Sequence, residues 1–180
     1  MRYLAAALVL IMGCGTPGAT SRRLKPEVQA PPETWAGVAS IAVLPPDNWT
    51  LDAGLEFITW YRAVAHEILR EKGYRITPLA DVNRFFLKRG YNLAGEAGNH
   101  TTPELAQHFG VDAVLIWAIT SKDPKLMFSL EKADGTPLWC TGEVLLSLKY
   151  VAVTGGSYQG RDAEIALALG EILRHMPARP

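Results

Sequence analysis

The chain has 180 residues, 48% apolar and 20% charged, with 18 Lys+Arg against 18 Asp+Glu. That length supports one ordinary domain, and the composition excludes disorder, collagen-like repeats and, with two cysteines, a disulfide scaffold. Balanced charge gives no global field that would draw the protein to nucleic acid, and no run of about 20 apolar residues is present to span a membrane as a helix.

The first element is an address. Arg2 precedes an apolar run from Tyr3 to Met12, and small Gly13 stands before Cys14. A basic start, an apolar run of roughly 7–15 residues and a small exit residue make a secretory signal peptide. Ile11-Met12-Gly13-Cys14 resembles the lipobox of bacterial lipoproteins, although Met12 stands where a smaller residue is commoner. The resemblance implies diacylation of the Cys14 thiol and removal of residues 1–13. Acyl chains at about 0.8 kcal/mol per buried methylene would then hold the protein on a membrane. Gly15 replaces the Asp that retains such proteins at the inner membrane, which implies the outer membrane, facing the periplasm. The alternatives are an ordinary signal peptide cut near Ala19, or the N-terminal helix of a cytosolic protein.

Residues 14–36 read as the lipidated cysteine and a tether. Between positions 15 and 35 stand four prolines, two glycines and no hydrophobic periodicity, a composition that stays extended and unfolded. Arg22, Arg23 and Lys25 suit anionic headgroups, or are incidental charges on a solvated linker.

A single domain is expected over 37–180. Val38 to Leu44 is an apolar run closed by Pro45-Pro46, a buried strand. Leu55 to Lys72 repeats apolar residues at helical spacing and stops at Gly73. Tyr74 to Pro78 is a second strand, and Asp81 to Lys88 a second helix ended by Gly90, with Val82, Phe85 and Phe86 inward. Tyr91 to His100 reads as loop. Thr101-Thr102-Pro103-Glu104 opens a third helix with capping-box spacing, ending at Gly110. Asp112 to Thr120 is the strongest strand. A hairpin follows, Lys125 to Ala133 and Pro137 to Tyr150, joined at Asp134-Gly135. A last helix runs from Asp162 to about His175, with Ile165, Leu169, Ile172 and Met176 on one face. The order β-α-β-α-α-β-β-β-α predicts an α/β (α+β) fold with a mixed five-stranded sheet under covering helices. Its first three strands are parallel and its last pair antiparallel. The hairpin is expected at or near a sheet edge, with Leu126, Phe128 and Leu130 on one face and Met127, Ser129 and Glu131 on the other. There it is open to a partner strand, or kept inert by Lys122, Lys125, Glu131 and Lys132.

No catalytic constellation emerges. His66-Glu67 begins like a zinc-binding HExxH helix, but Arg70 stands where the second histidine belongs, and the helical wheel turns His66 to solvent. His100 and His108 flank Glu104 with no third ligand nearby, and His175 falls on a polar helix face. Cys140 reads as a buried, inert thiol. Asn48-Trp49-Thr50 and Asn99-His100-Thr101 match the glycosylation pattern, which a bacterial envelope protein would rarely use. Trp49, Trp60 and Trp139 sit at loops or element edges, as core residues or as interface anchors. The loop Gly155 to Asp162 has glycines at Walker A spacing, but Arg161 and Asp162 replace the Lys and Ser/Thr that hold phosphate and Mg²⁺.

Four segments in order, Ile41-Ala42-Val43-Leu44-Pro45-Pro46, Gly73-Tyr74-Arg75-Ile76, Gly110 to Leu115 and Asp134 to Trp139, resemble small bacterial lipoproteins with a domain like the N-terminal domain of TolB, related to CsgG-like secretion lipoproteins. The resemblance implies a non-enzymatic adaptor in envelope assembly or export, without cofactor or metal. Its partner would be another envelope protein, a CsgG-like lipoprotein being one candidate. The competing reading is a nucleotide- or small-ligand-binding protein using the Gly155–Asp162 loop.

Overall fold

The computed structural model describes residues 26–48, 55–90, 99–119, 125–142, 144–145 and 168–179. These form strands β1 (Val28–Gln29), β2 (Ser40–Val43), β3 (Asp47–Asn48), β4 (Arg75–Ile76), β5 (Ala113–Ile119), β6 (Lys125–Lys132), β7 (Pro137–Cys140) and β8 (Val144–Leu145). The helices are α1 (Leu55–Glu71), α2 (Leu79–Leu87), α3 (Thr102–Phe109) and α4, helical over 168–174. The strands make one mixed sheet whose path runs β1-β7-β6-β5-β2-β4, with β3 paired to β5 and β8 to β6. Helical crossovers make β2 parallel to both β4 and β5, while β5, β6 and β7 are antiparallel, as expected.

Local chemistry sets the breaks. Pro45 and Pro46 supply no N–H, so the strand beside β5 is interrupted and resumes as β3. In the hairpin, Gly135 N–H reaches Lys132 O at 2.8 Å and Asp134 Oδ1 accepts from Thr136 N at 2.9 Å. The strand expected from Pro137 to Tyr150 is divided at Thr141 and Gly142. Thr141 exchanges both a main-chain and a side-chain hydrogen bond with Phe128, each at 3.1 Å. At α3, Thr101 and Glu104 close the capping box, and Gly110 takes φ 62° at the C-terminus.

Helices cover both faces. On one, Ile41, Val43, Leu115, Trp117, Phe128 and Trp139 meet Tyr61, Ala65 and Leu69 of α1 and Leu169, Ile172 and Leu173 of α4. Trp117 stacks on Phe128 with centroids 5.7 Å apart and donates its indole N–H to Leu44 O at 2.8 Å. On the other, Leu44 and Val114 meet Val82, Phe85 and Phe86 of α2 and Leu105 and Ala106 of α3. The alternation along β6 is as expected: Leu126, Phe128 and Leu130 are buried, whereas Met127 is 37% exposed.

Two expectations are corrected. The folded part begins before Gly37, because residues 26–36 are not all tether. Val28 and Gln29 pair with Cys140 and Trp139, and Ala30 N–H bonds Leu138 O at 2.8 Å. Trp35 is buried at 3% exposure and donates to Ala30 O at 3.2 Å. A single large indole removed from water is enough to fix a short, otherwise polar segment. The hairpin edge is therefore not open. β6 is interior, and β1 covers β7. Cys140, in the covered strand, is a free thiol and only partly buried.

Candidate functional site: a basic cleft beside the sheet edge

β4 ends the sheet at the edge opposite β1. Arg75 N–H bonds Ala39 O at 2.9 Å and Thr77 N–H bonds Ile41 O at 3.1 Å. Strand alternation then points the N–H and C=O of Ile76, between them, to the open side. Pro78 leads into α2, where Asp81, Arg84, Phe85 and Lys88 recur at three- and four-residue spacing and so share one face. With Arg75 and with the end of α3 they line a cleft of about 450 Å³.

The cleft is cationic. Arg75, Arg84, Lys88 and Arg89 line it against a single carboxylate, Asp81, which accepts from Arg84 Nη1 at 2.9 Å. Arg89 lies with its Cζ 3.7 Å from the centroid of the Phe85 ring, a cation–π arrangement. His108 and Phe109 extend the aromatic wall, their centroids 4.3 and 5.2 Å from that of Phe85. Ser40, also on the wall, donates its hydroxyl to Asp112 Oδ2 at 2.7 Å, and the same oxygen accepts from Ala39 N and Ser40 N. Burial alone would raise the Asp112 carboxyl, but the Ser40 hydroxyl and the two main-chain donors outweigh it and hold the group below the usual range. Asp112 thus stitches β2 to β5 as an anion, and the serine is occupied in that stitch.

The histidines do not assemble a centre. His100 and His108 both pack on Phe85, and His175 is exposed as expected. No group of three His, Cys, Asp or Glu able to hold a metal occurs among the described residues. His66 is corrected: it is half-buried rather than turned to solvent, and its Nε2 has no hydrogen-bond partner among the described residues. Burial, then the charges of Arg62 and Arg70, push its imidazole down to about 4. The unfolded chain, with an ordinary value near 6.5, therefore binds the proton first, so stability falls as pH drops from about 6.5 through about 4. Screening at a half-buried ring limits the loss to about 1–2 kcal/mol. Denaturant midpoints measured across that window should flatten in His66→Gln; an unchanged acid limb would exclude His66 as its source.

Trp139 is core, Trp60 is half-buried, and Cys14, Trp49 and the Gly155–Asp162 loop lie outside the described residues. Sequence reasoning passed over the cleft because its residues come from β4, α2 and the end of α3. The spacing Asp81, Arg84, Phe85, Lys88 shows one face of α2 in the sequence, but not the segments that complete the cleft. It also missed Arg62, which is fully buried. Its Nη2 donates to Val43 O at 2.9 Å, Nη1 bonds Asn83 Oδ1, and Nε is unpartnered among the described residues.

Comparison with known proteins adds to this geometry. Residues 36–127 match the family described as "Putative lipoprotein GNA1162-like". The chain belongs to this lipoprotein family. Among solved structures, GNA1162 from Neisseria meningitidis is similar at 24% identity and TM-score 0.51, over 77% of this chain and 98% of that one. LpoB from E. coli is similar at 15% identity and TM-score 0.45, over 74% and 80%. The PelC dodecamer from Paraburkholderia phytofirmans is similar at 18% and 0.43, over 78% and 89%. No curated protein matches the chain. The match to the GNA1162-like family runs from before β2 through β5 into the first residues of β6, and takes in every residue lining the cleft.

Proposed function

We propose that the chain is a lipid-anchored, non-enzymatic envelope adaptor, tethered through Cys14 to the periplasmic face of the outer membrane and holding another envelope protein at the cleft beside β4. The cleft carries this reading. Four cations beside an aromatic wall, with the one serine engaged by Asp112, make a surface suited to holding opposite charge. The lipoprotein family supports the anchor, as does the Gly13-Cys14 pair after a short apolar run. The ordered likeness to TolB N-terminal and CsgG-like domains supports a role in envelope assembly or export, a CsgG-like lipoprotein being one partner of this kind.

Cys14→Ser tests the anchor. The variant should lose metabolic palmitate labelling entirely and appear as uncleaved precursor or soluble protein on fractionation. Labelling that persists in the variant would end the lipid-anchor reading.

A further inference from the structure

The cleft combines two features that together select a kind of ligand: an excess of cations over carboxylates, and an open main-chain edge. We propose that it receives an extended acidic segment of a protein partner, with carboxylates on Arg75, Lys88 and Arg89 and main chain on Ile76. This rests on the adaptor reading above and names the chemistry of its contact.

Arg84 is already paired with Asp81. Lys88 and Arg89 line the same cleft with no carboxylate within salt-bridge distance among the described residues, and Arg75, also without a salt bridge there, lies near enough to feel the Asp112 charge. Arg89 lies over the Phe85 ring and its Nη1 donates to Phe85 O at 3.4 Å, so its guanidinium is oriented before a ligand arrives and can offer its remaining donors to a carboxylate. Phe85, His108 and Phe109 offer an apolar wall to a side chain that alternates with the acidic ones along an extended segment. Phosphate would satisfy the cations but not Ile76, whose outward N–H and C=O match another main chain. A phospholipid headgroup would likewise satisfy the cations and leave the Ile76 main chain unmatched.

The test uses the full-length lipidated protein in a non-ionic detergent and fluorescein-labelled decaglutamate, read by fluorescence anisotropy. Saturable binding is expected, weakened tenfold or more in Lys88→Glu/Arg89→Glu and again in Arg75→Glu, with cooperative melting retained and only the small loss expected from the Arg89–Phe85 contact and the helix end. A decaglutamate with N-methylated main chain should bind several-fold more weakly. Absence of saturable binding, equal binding by the charge-reversed variants, or full displacement by equimolar inorganic phosphate or glycerol phosphate would overturn the proposal. A photocrosslinker at position 88 in cells separates the two readings. A discrete envelope protein captured there while decaglutamate fails would leave the adaptor standing and remove the acidic segment. Peptide binding lost in the variants but with no cellular crosslink would support the ligand chemistry and count against the adaptor.

Discussion

Arg62→Ala should lower folding stability by about 3–5 kcal/mol, from a cavity together with two hydrogen bonds lost to buried acceptors. The guanidinium is fully buried between α1, the end of β2 and α2, and burial pushes it down to about 9, so it is still charged at neutral pH. Two things are lost with it. A large side-chain volume leaves a cavity under α1, and Val43 O and Asn83 Oδ1 give up buried donors, each at about 1–3 kcal/mol when left unsatisfied. Arg62→Met keeps most of the volume and removes a charge that is costly to bury, so it should recover more than half of the loss. Chemical denaturation of the two variants beside the native protein separates cavity from hydrogen bonds. An alanine variant with an unshifted midpoint would show that Arg62 does not tie these elements together.

Trp35→Ala should cost about 3 kcal/mol and change the association state as well. The indole is 3% exposed, and its N–H fixes Ala30, whose own N–H holds β7 through Leu138. Without it, β1 keeps two exposed residues and few hydrogen bonds, and the outer edge of β7 is uncovered. A bare edge recruits other chains. Sedimentation should therefore show concentration-dependent association in Trp35→Ala and not in Trp35→Phe, which retains most of the apolar burial. A strictly monomeric alanine variant with a native melting temperature would mean that the segment is held by something other than Trp35.

Much of the fold could be read from residues acting locally. Thr101 with Glu104, Gly73, Gly110 and Asp134-Gly135 are caps and turns whose chemistry is complete within a few residues. The mixed sheet then follows from the handedness and length of its connections. What escaped was non-local. Val28–Gln29 is too short to show a period and sits among prolines; it is a strand only because Trp139 and Cys140 lie beside it. Arg62 stands on the apolar stripe of α1, three residues before Ala65 and seven before Leu69, a position where a charge signals a bridge through the core rather than a solvated face. The cleft needed three segments brought together before its charge became a site.

The attachment at β1 also has a mechanical meaning. If the proposed anchor at Cys14 holds the chain, a pull between anchor and bound partner would load the described sheet first at Glu27, one residue before β1. The carboxyl group of Glu27 occupies the room left by the missing side chain of Gly142, and its N–H bonds Cys140 O at 2.9 Å. Beyond it, Ala30 and Trp35 anchor the same short stretch. Traction would first strain these few fastenings and reach β2 only after the indole is drawn from its socket. Under the proposed anchoring, the buried tryptophan would work as a stopper knot, giving up several residues of chain before the sheet bearing the cleft changes shape.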